Sequence, residues 1–195
     1  MSPSVVSWVV MLALGVCLSA ACWCDLKSRR IPNSLIASGM SLGFILQIAL
    51  PSSTGLFTNL PGSLGGVAAL LGCAFGMAAL IPMYAIGAMG AGDVKMMGMV
   101  GIFLGPVATI EAVVWSVAAG GVLAVLVALW TGVLQAVVRN VRQAVTQSIA
   151  TFVLMRKVEM SVATVGGTSL PYAFAISAGT ICQIFFARSG HTLFT

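Results

Sequence analysis

The sequence predicts an all-α, polytopic membrane protein of about six transmembrane helices with its N-terminus outside, on three observations. Of its 195 residues, 59% are hydrophobic and 7% are charged, whereas a soluble domain carries about a quarter charged residues. The mean hydropathy is +1.10, so the chain lacks the polar side chains to cover a water-facing globule. The apolar residues also fall in runs of the length that crosses a hydrocarbon core, about 20 helical residues for about 30 Å. The few basic residues gather at the edges of those runs.

Taken in order, the runs cover residues 5–24, 34–50, 64–89, 94 to about 108, 110–138 and 170–187. In the first, Leu18-Ser19-Ala20-Ala21-Cys22 approaches a lipoprotein cleavage site. No Lys or Arg precedes it and its small residues are displaced by one place, so a mature helix is expected. The second run follows Ile31-Pro32-Asn33, and Asn33 is expected to cap its first turn with a side-chain acceptor. Gly62, Gly65, Gly66, Gly72 and Gly76, before and within the third run, suit close helix packing.

The fourth run is the weakest, because residues 94–104 are few, rich in Gly and Met, and followed by Gly105-Pro106. It reads as a half-buried helix packed among its neighbours. The fifth run is continuous. Behind it, Arg139, Arg142, Arg156 and Lys157 flank a mildly apolar stretch, so residues 139–167 read as a cytoplasmic interfacial helix and loop. The sixth run opens near Pro171, a residue suited to a helix start. Trp8, Trp23, Trp115 and Trp130 read as interfacial or packing aromatics, and His191 as a solvated residue near the tail.

Orientation follows from the basic residues, which cytoplasmic loops retain. With the N-terminus outside and six spans, Lys27, Arg29, Arg30, Lys95, Arg139, Arg142, Arg156 and Lys157 lie inside and only Arg188 outside, eight against one. The net charge of +5 thus reads as a topology signal and lipid contact, not nucleic-acid binding. The five cysteines lack paired CxxC spacing, which supports neither a structural zinc site nor a disulfide framework. Residues 1–195 read as one integral-membrane domain with no room for a separate soluble one.

Four acids remain to be explained. Glu159 lies in the basic loop and Glu111 near the outer end of the fifth run, both with ordinary explanations. Asp25 closes the first run and Asp93 opens the fourth, where an ionised carboxylate beside long apolar segments is costly. Two spans separate them, which returns the chain to the side it left and brings both acids to the cytoplasmic boundary. Two carboxyl groups a few ångströms apart share one proton, so one activates water while the other protonates a scissile carbonyl. That is the pattern of aspartic-protease chemistry. Gly90-Ala91-Gly92-Asp93 would let an extended substrate backbone approach closely. Plain helix-end anchors and a tight glycine turn account for the same residues equally simply.

A longer pattern separates these readings. Asp25, the basic residues Lys27, Arg29 and Arg30, and then Ile31-Pro32-Asn33 closely resemble the first motif of the type IV prepilin peptidases. Gly90, Gly92, Asp93 and Lys95 match that family's second motif, Gly-x-Gly-Asp followed closely by Lys. Pro171-Tyr172 matches a late Pro-Tyr, although Phe174 stands near the place where the family often has a further Pro.

The resemblance implies that Asp25 and Asp93 are the catalytic pair of a membrane-embedded aspartic endopeptidase. Its substrates would be prepilins or pseudopilins, cut after the Gly that ends a short basic leader, at the cytoplasmic face of a prokaryotic plasma membrane. Lys27, Arg29, Arg30, Gly90, Gly92 and Lys95 would support the site or the substrate. Neither a metal nor an organic cofactor is implied. Larger members also carry a cytoplasmic domain with paired CxxC motifs and methylate the new N-terminus. This chain resembles the small, peptidase-only branch of Flp (tight-adherence) pilus systems, without a methyltransferase or zinc domain. The alternatives are a noncatalytic membrane assembly factor or a small proton or cation transporter component. The sequence leaves the oligomeric state open.

Overall fold

A computed structural model describes residues 3–28, 31–50, 65–85, 89–130, 132 and 172–189. These form six helices: α1 (Pro3–Ser28), α2 (Asn33–Ala49), α3 (Gly66–Ala85), α4 (Ala91–Leu104), α5 (Pro106–Trp130) and α6 (Tyr172–Arg188). Three stretches, Trp8–Ser28, Gly66–Ala85 and Pro106–Trp130, are long and apolar enough to cross a membrane, and α2 and α6 are shorter apolar helices. Large apolar side chains such as Leu12, Val16, Ile48, Val67, Val122 and Phe185 point outward. That surface suits lipid and not water. The interfacial helix and loop expected at 139–167 lie outside the described residues, as do residues 51–64 and His191.

The helices alternate in direction, and α4 is the one all the others pack around, touching each of the other five. Every residue of α4 from Asp93 to Leu104 is buried except Lys95, more than the half-burial its composition suggests. At 14 residues it extends about 21 Å, short of a hydrocarbon core of about 30 Å. Its closest partner is α3. A Cβ on either Gly72 or Gly101 would run into the carbonyl oxygen of the other, so the two backbones meet there without intervening side chains.

The fourth and fifth apolar runs do not divide near residue 108 as expected. Gly105 adopts φ +76 and ends α4, and Pro106 opens α5, since a proline at the first helical position forgoes only an N–H that has no intrahelical acceptor. The break lies inside the bundle, where exposed carbonyls would be costly. Gln47 of α2, which is 4% exposed, answers that cost by donating from Nε2 to the carbonyls of Ile102 (3.1 Å) and Phe103 (3.2 Å). The Thr109 hydroxyl donates to the Gly105 carbonyl.

Beyond this break, Gln183 Nε2 of α6 donates to Glu111 Oε2 of α5 at 3.1 Å, with both side chains buried. Glu111 is thus part of the α5–α6 interface. Trp115 stacks on Phe186 of the same pair at 4.8 Å between ring centroids, and Arg188 lies over the Trp8 ring at 5.3 Å. Trp23 and Trp130 are exposed.

Candidate active site

The end of the bundle opposite that break gathers the C-termini of α1 and α3 and the N-termini of α2, α4 and α6. Both motif acids lie here. Asp25 sits one turn before the end of α1 on the stripe Val10, Leu14, Leu18, Ala21, whose 3–4 residue spacing keeps it on the packed side. Its Oδ2 accepts the N–H of Ala173 at 3.2 Å. Ala173 is the second residue of α6, so the carboxylate occupies the electropositive start of that helix and satisfies one of its unpaired donors. One turn earlier, the Cys22 thiol donates to the Ala173 carbonyl at 3.5 Å and meets the Ser177 hydroxyl at 3.1 Å. Two adjacent turns of α1 are thereby fastened to α6.

Asp93 is held differently. Gly90 is the N-cap of α4 and Asp93 stands three residues on. The Asp93 N–H donates to the Gly90 carbonyl, and the Gly90 N–H donates to Asp93 Oδ2, both at 3.1 Å. The acid thus helps to cap its own helix. The Gly-x-Gly-Asp stretch is therefore the N-cap and first turn of α4, with Gly90 and Ala91 exposed. A Cβ on Gly90 would stand 3.3 Å from Asp93 Oδ2 and crowd the carboxylate, whereas one on Gly92 would make ordinary contact with Ile31.

Each acid is 9% exposed. Asp93, ahead of the fourth apolar run, has its carboxyl pushed up to about 6 by burial, with the Gly90 N–H opposing the rise and the charge of Asp25 adding to it. Each acid uses Oδ2 for its backbone hydrogen bond, and Oδ1 has no hydrogen-bond partner among the described residues.

The flanking motif residues separate into three groups. Lys27 is exposed in the last turn of α1, and Arg29 and Arg30 lie outside the described residues. Lys95 donates from Nζ to Asn33 Oδ1 at 3.0 Å. This corrects the expected role of Asn33: Pro32 is the N-cap of α2, no side chain caps that helix, and Asn33 instead ties α2 to α4. Ile31 packs beside Gly92. Thus Ile31 and Asn33 of the first motif grip Gly92 and Lys95 of the second across 62 positions of sequence, a long-range pairing that no local signal announces.

Two contributors were not singled out as site residues from sequence. Cys22 and Ser177 carry polar atoms one turn from Asp25, but a thiol and a hydroxyl in apolar helices have many ordinary explanations. Among the described residues no group of three or more His, Cys, Asp or Glu is placed to hold a metal ion.

The fold and this pair of buried acids define a helical membrane protein with a two-carboxylate candidate site. The family model of the type IV leader peptidase family matches residues 12–125, more than half of the chain, and the chain belongs to that family. The matched stretch runs from α1 into α5 and contains both acids, while α6 lies beyond it. No curated protein and no solved structure matches the chain.

Proposed function

We propose that the chain is a membrane-embedded aspartic endopeptidase that removes the short basic leader of Flp-type prepilins or pseudopilins. Cleavage follows the Gly at the leader boundary, at the cytoplasmic face of a prokaryotic plasma membrane. The observation that carries this reading is the burial, at one end of the bundle, of two carboxylates from the two family motifs, each held by one backbone N–H. No N-methylation accompanies it. The eight basic residues assigned to the inner side favour that orientation.

In the mechanism, Asp25 carries the negative charge, facing the start of α6 through the Ala173 N–H. Asp93 carries the proton. A substrate that covers the pair removes more water and drives the Asp93 carboxyl further above 6. Asp25 then takes a proton from water as its oxygen attacks the scissile carbonyl carbon, and Asp93 donates its proton to the carbonyl oxygen. The neutral tetrahedral diol collapses as Asp93 recovers a proton from one hydroxyl and Asp25 delivers its own to the leaving nitrogen. The C–N bond breaks, yielding a carboxylic acid and an amine with one water consumed.

Co-expression with a Flp-type prepilin, followed by intact-mass analysis of the membrane-fraction pilin, tests this. Loss of the leader with wild type and its retention with Asp93→Asn is the expected result, with no added methyl group on the product. A wild-type protein, well inserted, that leaves several such prepilins uncut would overturn the reading.

A further inference from the structure

Ala173 of α6 is held by α1 on both sides of its Cα. Its N–H donates to Asp25 Oδ2 at 3.2 Å, and its carbonyl, on the next peptide unit, accepts the Cys22 thiol at 3.5 Å. Cys22 and Asp25 stand three residues apart on α1, so they are neighbours on one face of that helix. Ala173 is itself 0% exposed, so water does not replace either partner. The thiol also meets the Ser177 hydroxyl at 3.1 Å. A thiol has one proton to give. With that proton committed to Ala173, the Ser177 hydroxyl is the donor to sulfur, and Cys22 is satisfied as donor and as acceptor. Asp25 is anchored through Oδ2, so the direction of its other oxygen follows from where Ala173 sits.

We propose that Cys22 and Ser177 are positioning residues of the reaction: by clamping Ala173 to α1 they fix the anchor of Asp25 Oδ2 and so aim Oδ1 at the attacking water. The proposal rests on the two-carboxylate reading above. Neither side chain touches the substrate, and no bond to either forms or breaks. A carboxylate that pivots about a displaced anchor meets the water off line, and misplacing a reacting group by about 1 Å costs on the order of a hundredfold in rate. A clamp of two neutral hydrogen bonds holds part of that.

The test measures kcat, KM and melting temperature on one prepilin in proteoliposomes, each protein being assayed below its own melting. It compares wild type, Asp25→Asn, Cys22→Ser, Cys22→Ala, Ser177→Ala and the double variant Cys22→Ala with Ser177→Ala. Serine and alanine at position 22 are close in size and differ by the hydroxyl, so that pair isolates the donor. Cys22→Ala is expected to lower kcat about tenfold with KM within about threefold, and Cys22→Ser to bring kcat back to within about threefold of wild type. Ser177→Ala lowers kcat by less, and it adds nothing to Cys22→Ala in the double variant because both act at one junction.

Wild-type kcat in Cys22→Ala, or equal losses in Cys22→Ser and Cys22→Ala, would overturn the proposal. A loss confined to KM, or one that shows only as a lower melting temperature, would make the cluster a packing contact and overturn it likewise. Full additivity in the double variant would remove Ser177 from the clamp. Wild type that fails to cleave, or Asp25→Asn that cleaves normally, would overturn the two-carboxylate reading, and the clamp's role would fall with it.

Discussion

At the far end of α4, Gln47 and Thr109 give donors to the carbonyls of Ile102, Phe103 and Gly105, whereas at its near end Asp93 and Asp25 each receive a single backbone N–H. The first arrangement quiets a necessary break in a helix, and its partners are side chains recruited for that purpose. The second holds each acid by one oxygen and leaves the other unbonded among the described residues. Burial is similar at both ends. The far end is not fully satisfied either, since Gln183 Oε1 is buried without a partner among the described residues. What marks the near end is that its unbonded oxygens belong to ionisable carboxylates.

The largest effect expected from breaking this contrast is at the near end. Asp25→Asn and Asp93→Asn should each lower leader cleavage by at least about a thousandfold, because each removes half of a unit that passes one proton. Each protein should still insert and melt cooperatively. Cleavage of the same prepilin at matched membrane levels measures the effect, and substantial processing by either variant would reject the pair.

At the far end the signs reverse. Gln47→Leu leaves two buried carbonyls without their side-chain donor and should cost about 1–3 kcal/mol of stability, read as a lower melting temperature in detergent. At a temperature where it remains folded, cleavage should match wild type. A folded Gln47→Leu protein that had lost activity would show the two ends to be coupled through α4.

The pH dependence of stability sharpens the comparison further. The Asp93 carboxyl holds its proton up to about 6 in the folded protein against an ordinary value of 3.8. The folded state therefore binds more protons than the unfolded chain between these values, and this contribution to stability is lost as pH rises through about 6. Asp93→Asn removes the buried charge while keeping an acceptor for Gly90. It should melt above wild type at pH 8, with the gap narrowing at pH 5. An equal gap at both pH values would mean that Asp93 is not the group responsible.

The smallest effect is expected at the junction between the motifs. The hydrogen bond from Lys95 to Asn33 is exposed, so Asn33→Ala should cost no more than about 1 kcal/mol and leave cleavage within about fivefold of wild type. A larger loss would make the grip of α2 on α4 a determinant of where Asp93 sits.

The apolar runs were legible as helices because the composition leaves little else for them to be, and the short fourth run announced itself through Gly, Met and Gly105-Pro106. Both acids stood out because ionisable groups beside apolar runs are costly. Partners were not legible. Asn33 before an apolar run reads as a cap, yet Pro32 already ends the extended backbone there and the amide turns to Lys95. Gly90-Ala91-Gly92 reads as a turn, yet its N–H and carbonyl close onto Asp93 as the start of a helix. Gln47, Glu111 and Gln183 lie in or beside stretches whose spacing does not say which buried group each will meet.

The fastening of the two acids to different helices has a mechanical consequence. Asp25 moves with α1 and α6, which are joined through Ala173, Cys22 and Ser177. Asp93 moves with α4, which is locked to α3 where Gly72 meets Gly101 and tied to α2 through Gln47 and Lys95. A seam thus runs between the carboxylates. A sliding of α1 and α6 against α2, α3 and α4 would reset their spacing, and α5, which grips α6 through Glu111–Gln183 and Trp115–Phe186 and continues from α4 at Pro106, is the element that resists it.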